Sequence, residues 1–424
     1  MAKPKLALIP AAQGSKLFSV LPSSGVGDFD FSRSGKATRI NSQGLIEEVS
    51  NGQSRLNYPM IDGKVVGCPS HILEPTRTNR VPNSDEFSGS ETNVSVSRNQ
   101  VISPDGTLNA DRVLDNNNNG EHLITGSYSG SITSGLDYVA SAFFKSDGTG
   151  GKGVIRFYTG SWQNAVFNLE DGTISYTSSG VSKIENYGNG WYRCSLKFTA
   201  TTDYGNTIIQ LAIGNSLNQF SYQGASSLGV YFWGVQFEQG SFPTSYIPTN
   251  GSAVTRSAEV ANGSGDVDTF NDSEGVLMAE ISALATAPTR GITLGDGTSL
   301  NRIQFYYSSS NVLNGNLITN GSGQVTGFSY NGDANLFNKC ALKYKVNDFA
   351  FWVNGFKITV DTNGITPNGL NTLNFDNGTG AAPFYGNTKQ VQYYNSVLTD
   401  SELEKISSWT SFTDMAQGQL YTIE

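Results

Sequence analysis

Alternation is the feature that most limits how this chain folds. The segments 136–146 (LDYVASAFFKS), 152–161 (KGVIRFYTGS), 165–177, 190–201, 207–215 and 229–240 (GVYFWGVQFEQG) place apolar residues at near-period-2 spacing, with Gly, Asn or Asp clusters between them. Period two lines one face of a pleated strand, and repeated runs with turn signals between them are what a two-sheet sandwich needs. In 229–240 the apolar residues Val230, Phe232, Val235 and Phe237 change phase at Gly234, so a bulge is expected there.

A second set of such runs begins near Gly275 and continues through 301–309 and 340–346 to 389–398. Its clearest signal is WVNGFKI, where Asn354 and Gly355 are expected to form a type I′ hairpin turn. One helix is expected over 399–409: Thr399 and Glu402 are spaced as a capping box, and Leu403, Ile406 and Trp409 form an apolar stripe. The 48 glycines and the low charged fraction, 15%, fit an all-β chain with many turns.

The first 80 residues read differently. LALIPAA, KLFSVLP, GLIEEV and GKVVG are strand-like but too short to form a stable sheet alone, so 1–80 is expected to be an extended arm needing a surface to fold on. The expected organisation is therefore this arm, a first antiparallel β-sandwich over 81–258, and a second over 259–424 ending in the short helix. The Pro-, Gly-, Ser- and Asn-rich stretch 242–266 reads as the linker. Within EPTRTN, 74–79, Arg77 is expected to pair with Glu74.

Several function classes are disfavoured. A net charge of −9 offers no basic patch for phosphates. Cys68, Cys194 and Cys340 are too widely spaced for a disulfide framework or a zinc site. The N-terminus lacks the apolar core of a signal peptide, and no 18-residue apolar run occurs, so a soluble chain made in a cytoplasm is expected. His71 and His122 stand outside any nucleophile or metal motif, and the second half carries no E-x-D-x-x-E cluster, so no catalytic residues and no enzyme are expected. DNNNNG, 115–120, resembles the start of an EF-hand loop but has Gly126 where a bidentate Glu is needed. No cofactor or metal is expected; the acids of DVDTFND, 266–272, are the calcium alternative.

Sugar contact is the activity best matched by residue type, because pyranose rings stack on aromatic faces and hydroxyls bond planar polar side chains. Trp162 with Gln163 and Asn164 is the first candidate; Tyr306, Tyr307 and Tyr330 follow. Trp191, Trp233 and Trp352 lie inside strand patterns and are expected in the core.

The runs 31–59 (FSRSGKATRINSQGLIEEVSNGQSRLNYP), 63–87, NGWYRCSLKFTAT and 229–259, in that order, resemble bacteriophage tail-fibre and other virion structural proteins. In those, a leader precedes a carbohydrate-binding-module-like, jelly-roll β-sandwich. FAFWVNGFKITV and KQVQYYNSVLTDSELEKI make the second half similar to concanavalin A-like, laminin-G-type lectin/glucanase domains. The resemblance implies a virion location as a fibre, appendage or decoration subunit. It further implies attachment to other virion proteins through the arm, a homotrimer, and contact with host-surface polysaccharide. The alternatives it leaves open are a polysaccharide depolymerase and a purely architectural capsid or tail protein.

Overall fold

The computed structural model describes residues 3–284 and 289–418 and is nearly all antiparallel β-structure. The first sandwich has two six-stranded sheets. One runs Ser90–Thr92, Leu123–Ile132, Tyr204–Gly214, Lys152–Tyr158, Trp162–Asn168, Thr173–Thr177. The other runs Val94–Ile102, Leu108–Asp115, Gly229–Gln239, Asp137–Ser146, Trp191–Thr199, Val181–Asn186. Alternation selects what lies between them: Ile155, Phe157, Phe167, Ile209 and Leu211 from one sheet meet Ala140, Phe144, Leu196, Phe232 and Phe237 from the other. The expected bulge is present. Gly234 has φ +63°, and the pairing of Ser141 with Gln236 shifts to Phe143 with Trp233, which keeps Val235 and Phe237 on the core side while Trp233 faces outward.

The second sandwich packs an eleven-stranded sheet on a six-stranded one. Its core joins Leu277, Ile281, Leu342 and Phe351 of the larger sheet to Ile292, Ile303, Phe305 and Leu317 of the smaller. Asn354 and Gly355 both take positive φ, +53° and +85°, and close the hairpin between Phe349–Val353 and Phe356–Asp361 as the sequence predicts. The helix Asp400–Ser407 starts at Thr399 with the full capping box, and its Leu403 and Ile406 cover Met278 and Trp352 on the sheet's outer face. Trp409 lies beyond it, with the Lys339 ammonium 4.7 Å from its ring centre. A second short helix, Phe412–Gly418, was not legible in the sequence. Among the described residues no helix is long and apolar enough to cross a membrane.

The N-terminal segment finds its surface within its own chain. Leu6–Gln13 pairs with Gly386–Tyr394, in register Leu8 to Val391, and Ser70–Leu73 pairs along the same strand, His71 to Thr388. Leu6, Leu8, Leu17, Phe29, Phe31 and Leu73 enter the core of the second sandwich. Ile46 packs instead on the first, with Trp191 and Trp233 on its outer face. The stretch read as a linker is packed too. Tyr246 and Ile247 are buried, Val254–Arg256 pairs with Arg77–Asn79, and Val260–Asn262 extends the eleven-stranded sheet beside Phe29–Ser32.

Where these parts meet, three arginines and two glutamates are enclosed. Glu259 accepts from Arg33 (2.8 Å), from Arg55 Nε (2.8 Å) and Nη2, and from the Glu74 amide (2.9 Å). Glu74 accepts from Arg55 (2.8 Å), Arg256 (2.6 Å) and the Ser245 amide (2.7 Å). Arg77 is not its partner, contrary to the sequence expectation: Arg77 bonds the Thr76 carbonyl and lies 5.5 Å over the Phe242 ring. Residues three apart in an extended chain point to opposite faces, whereas Arg55 adjoins Leu56–Asn57, which pairs with Ser70–Leu73 just before Glu74, and Arg256 ends the strand Val254–Arg256.

His71 lies beside this cluster, edge-on to Phe31 and Phe375, and neither ring nitrogen has a hydrogen-bond partner. Burial brings its pKa down from 6.5 to about 4, with Glu259 opposing and Arg55 assisting. An unfolded chain takes up this proton below pH 6.5 while the folded one does not until about pH 4. Stability therefore falls as pH drops through that window, by about 3 kcal/mol at its lower end. Denaturant midpoints of the wild type and His71→Phe, measured from pH 7 to 5, should diverge, with the variant nearly flat. Equal slopes would remove His71 as the cause. Below that range Glu74 adds a second loss: burial raises its carboxyl, but Arg256 and Arg55 outweigh this and hold it at about 2, so its contribution, full above pH 4.5, is lost on further acidification.

Candidate functional site: the outer face of the first sandwich

The strand register builds a patterned surface on the sheet that carries Trp162. Core-facing residues of Lys152–Tyr158 are Ile155 and Phe157, so Val154, Arg156 and Tyr158 point outward. Across the sheet these fall into rows. Trp162 is opposite Tyr158, which is opposite Ile208. Asn164, Arg156, Gln210 and Thr125 form the next row, and Val166, Val154, Ala212 and Leu123 an apolar one beneath Phe220.

The middle row is one hydrogen-bonded ladder. Arg156 donates to Asn164 Oδ1 (2.8 Å), Gln210 Oε1 (2.6 Å) and Glu121 Oε1 (3.2 Å), and Gln210 donates to Thr125 Oγ1 (3.0 Å). The Arg156 guanidinium is also held between rings, 3.9 Å from the Phe220 centroid and 4.5 Å from that of Trp162. Burial lowers its pKa, and Glu121 counters that. Tyr158 meets Trp162 edge-on at 5.3 Å and Tyr204 at 4.8 Å. The face thus offers half-buried aromatic rings and the half-buried Asn164 amide, held by the buried Arg156 and Gln210, a combination suited to sugar rings and their hydroxyls.

Of the residues singled out in the sequence, Trp162 and Asn164 share this face. Gln163 does not: alternation turns it to the opposite side, where it is buried and bonded to Ser161 and Ser179. The tyrosines belong to the other sandwich. Tyr307 is in its core, 1% exposed, with its hydroxyl donated to the Ile281 carbonyl, so burial withdraws it from sugar contact. Tyr306 is half-buried on the outward side of the same strand, and Tyr330 packs partly on the core, its hydroxyl 3.5 Å from Asn354. Trp191, Trp233 and Trp352 are buried as expected. Arg156, Tyr158, Gln210, Phe220 and Glu121 were missed. The available signal was an Arg and a Gln interrupting the apolar strands VIRFY and TIIQLAI.

His122 and the acids of the two loop motifs hold backbone groups in place. The His122 ring nitrogens lie 2.8 and 3.1 Å from the Asn93 and Tyr222 carbonyls. Asp115 accepts from the Ser227 (2.7 Å) and Leu228 (2.9 Å) amides, so the EF-hand-like DNNNNG is a loop anchor. In DVDTFND, Asp266 accepts from the Thr269 amide (2.9 Å) and Asp272 from those of Gly369 (2.8 Å) and Leu370 (2.9 Å). Among the described residues no group of three or more His, Cys, Asp or Glu side chains is placed to hold a metal, and all three cysteines are free thiols.

No family model matches the chain, and no curated protein sequence matches it. Solved structures similar to parts of it include the Ruminococcus gnavus IT-sialidase CBM40 bound to α2,3-sialyllactose, at 19% identity over 34% of this chain and 91% of that one, TM-score 0.28. Domain 4 of AbnA, a GH43 extracellular arabinanase from Geobacillus stearothermophilus in complex with arabinotriose, matches at 11% identity over 36% and 73%, TM-score 0.30. Mouse laminin α1 domains LG4-5 match at 9% over 67% and 88%, TM-score 0.22. At these values no residue role passes to this chain.

Proposed function

We propose that this chain is a non-catalytic glycan-contacting protein whose first sandwich binds sugar on the Trp162 face. The observation that carries this reading is the cluster of half-buried Trp162, Tyr158, Tyr204 and Asn164 braced by the buried Arg156 ladder. Glu121, the carboxylate beside the ladder, is engaged by Arg156 at 3.2 Å, which supports binding rather than hydrolysis. The finer reading is a bacteriophage virion fibre, appendage or decoration subunit that meets host-surface polysaccharide, working as a homotrimer attached to other virion proteins through residues 1–80. It is supported by the ordered run of motifs from Phe31 to Glu259 that resembles such proteins.

Replacing Trp162 with Ala tests the sugar reading. The ring is half-buried and carries the Arg156 contact, so a stability loss of about 1 kcal/mol is expected. Binding to a glycan array and to host cells should fall at least tenfold. Unchanged binding with unchanged stability would point to an architectural role for this face, and a loss of several kcal/mol would place Trp162 in the packing instead.

A further inference from the structure

A cavity of about 360 Å³ opens where the N-terminal segment and the two sandwiches meet, and each of them supplies part of its wall. That volume is at the small end of ligand sites, about 300–1,000 Å³, and suits a monosaccharide or disaccharide. Six aromatic side chains line it, among them Tyr58, Tyr187 and Phe242. Of the four asparagines that line it, Asn57 and Asn186 have their oxygens occupied by the Ile40 amide (2.8 Å) and the Gly188 amide (2.9 Å), which leaves their NH2 groups as donors.

Arg193 also lines the cavity. It is 5% exposed, and its Nε–H has no hydrogen-bond partner. A buried donor without an acceptor costs free energy that a ligand oxygen would recover. The other charges on the wall are matched within the protein: Arg39 pairs with Glu47 (3.0 Å) and Lys183 with Glu185 (2.7 Å). Unpartnered Nε–H donors on Arg193 and Arg39, the two amide NH2 groups and the aromatic faces together select an oxygen-rich ligand, and apart from Arg193 the wall's charges are already paired.

A cover is also present. The hairpin Met60–Ile61 and Lys64–Val65 turns at Asp62 and Gly63, with φ +48° and +74°, and Met60 faces the cavity. The hairpin rests on the first sandwich through Gly63, where an added Cβ would lie 2.4 Å from Asn186 Oδ1 and 2.7 Å from the Gly188 backbone. Only glycine allows that seat.

We propose that this cavity is an enclosed binding site for a neutral mono- or disaccharide unit, separate from the Trp162 face, with the 60–65 hairpin as its cover. Saturation-transfer NMR on the full chain, with a panel of methyl hexosides and neutral disaccharides as probes, tests it. At least one probe should bind Trp162→Ala as well as wild type. Its affinity should fall at least tenfold in Tyr58→Ala, and Gly63→Val, which lifts the hairpin, should speed its dissociation. A panel silent on Trp162→Ala, or binding indifferent to both cavity variants, overturns the proposal. Hydrogen exchange on the unaltered chain makes the test independent of variant folding. Slowing across 57–66 and 186–188 with the bound probe supports the site; slowing confined to 156–164 overturns it.

Discussion

A chain lacking residues 1–80 is expected to keep its first sandwich folded and to lose the second. The segment contributes Leu6, Leu8, Leu17, Phe29, Phe31 and Leu73 to the second core, all at 4% exposure or less. At about 1.5–3 kcal/mol for each buried side chain, their loss removes roughly 9–18 kcal/mol, an upper estimate given residual burial in unfolded chains. Even half of that rivals the whole stability of a domain, about 5–15 kcal/mol. The deletion also strips Gly386–Tyr394 of both partners along one edge. Limited proteolysis of 81–424 should release a resistant fragment of the first sandwich, held by its own two sheets, while 259–424 is digested. Full resistance of both sandwiches would show that the shared sheet is dispensable.

The second large effect is expected at Glu259. Replacing it with Ala leaves Arg33 and Arg55 enclosed without the carboxylate that both address, and breaking a buried pair by removing one partner costs about 3–5 kcal/mol. Chemical denaturation should show that loss. Replacing Arg33, Arg55 and Glu259 together with apolar residues of similar size should cost less than Glu259→Ala alone, since such sets are often neutral when exchanged whole. A triple variant worse than the single one would mean that the cluster contributes net stability rather than specificity of assembly.

These two expectations mark where the sequence was readable and where it was not. Alternation is local, so the strands of both sandwiches, the bulge at Gly234 and the turn at Asn354 could be read from a few neighbouring residues. So could the capping box at Thr399. Partner choice is not local. The short strands of 1–80 were legible as needing a surface, but nothing near Leu8 indicates Val391. The charged cluster was hidden for the same reason: Glu74 and Glu259 are 185 positions apart yet share one hydrogen bond. At the candidate site the obstacle is of another kind. Trp162, Gln163 and Asn164 are neighbours in sequence, but period two separates the middle one from the others. Applying the same rule across three strands would have exposed Arg156 and Gln210, whose side chains sit on the outward face of otherwise apolar runs.

The pairing of Leu8 with Val391 also sets an order for biosynthesis. The first strand leaves the ribosome long before its partner exists. At about 5–20 residues per second the wait is roughly 20–80 s. Throughout it Leu6, Leu8, Leu17 and Phe29 have no core to enter, while the first sandwich, made of strands close in sequence, can already close. Nascent chains of this protein should therefore engage holding chaperones through their first thirty residues until translation passes Tyr394.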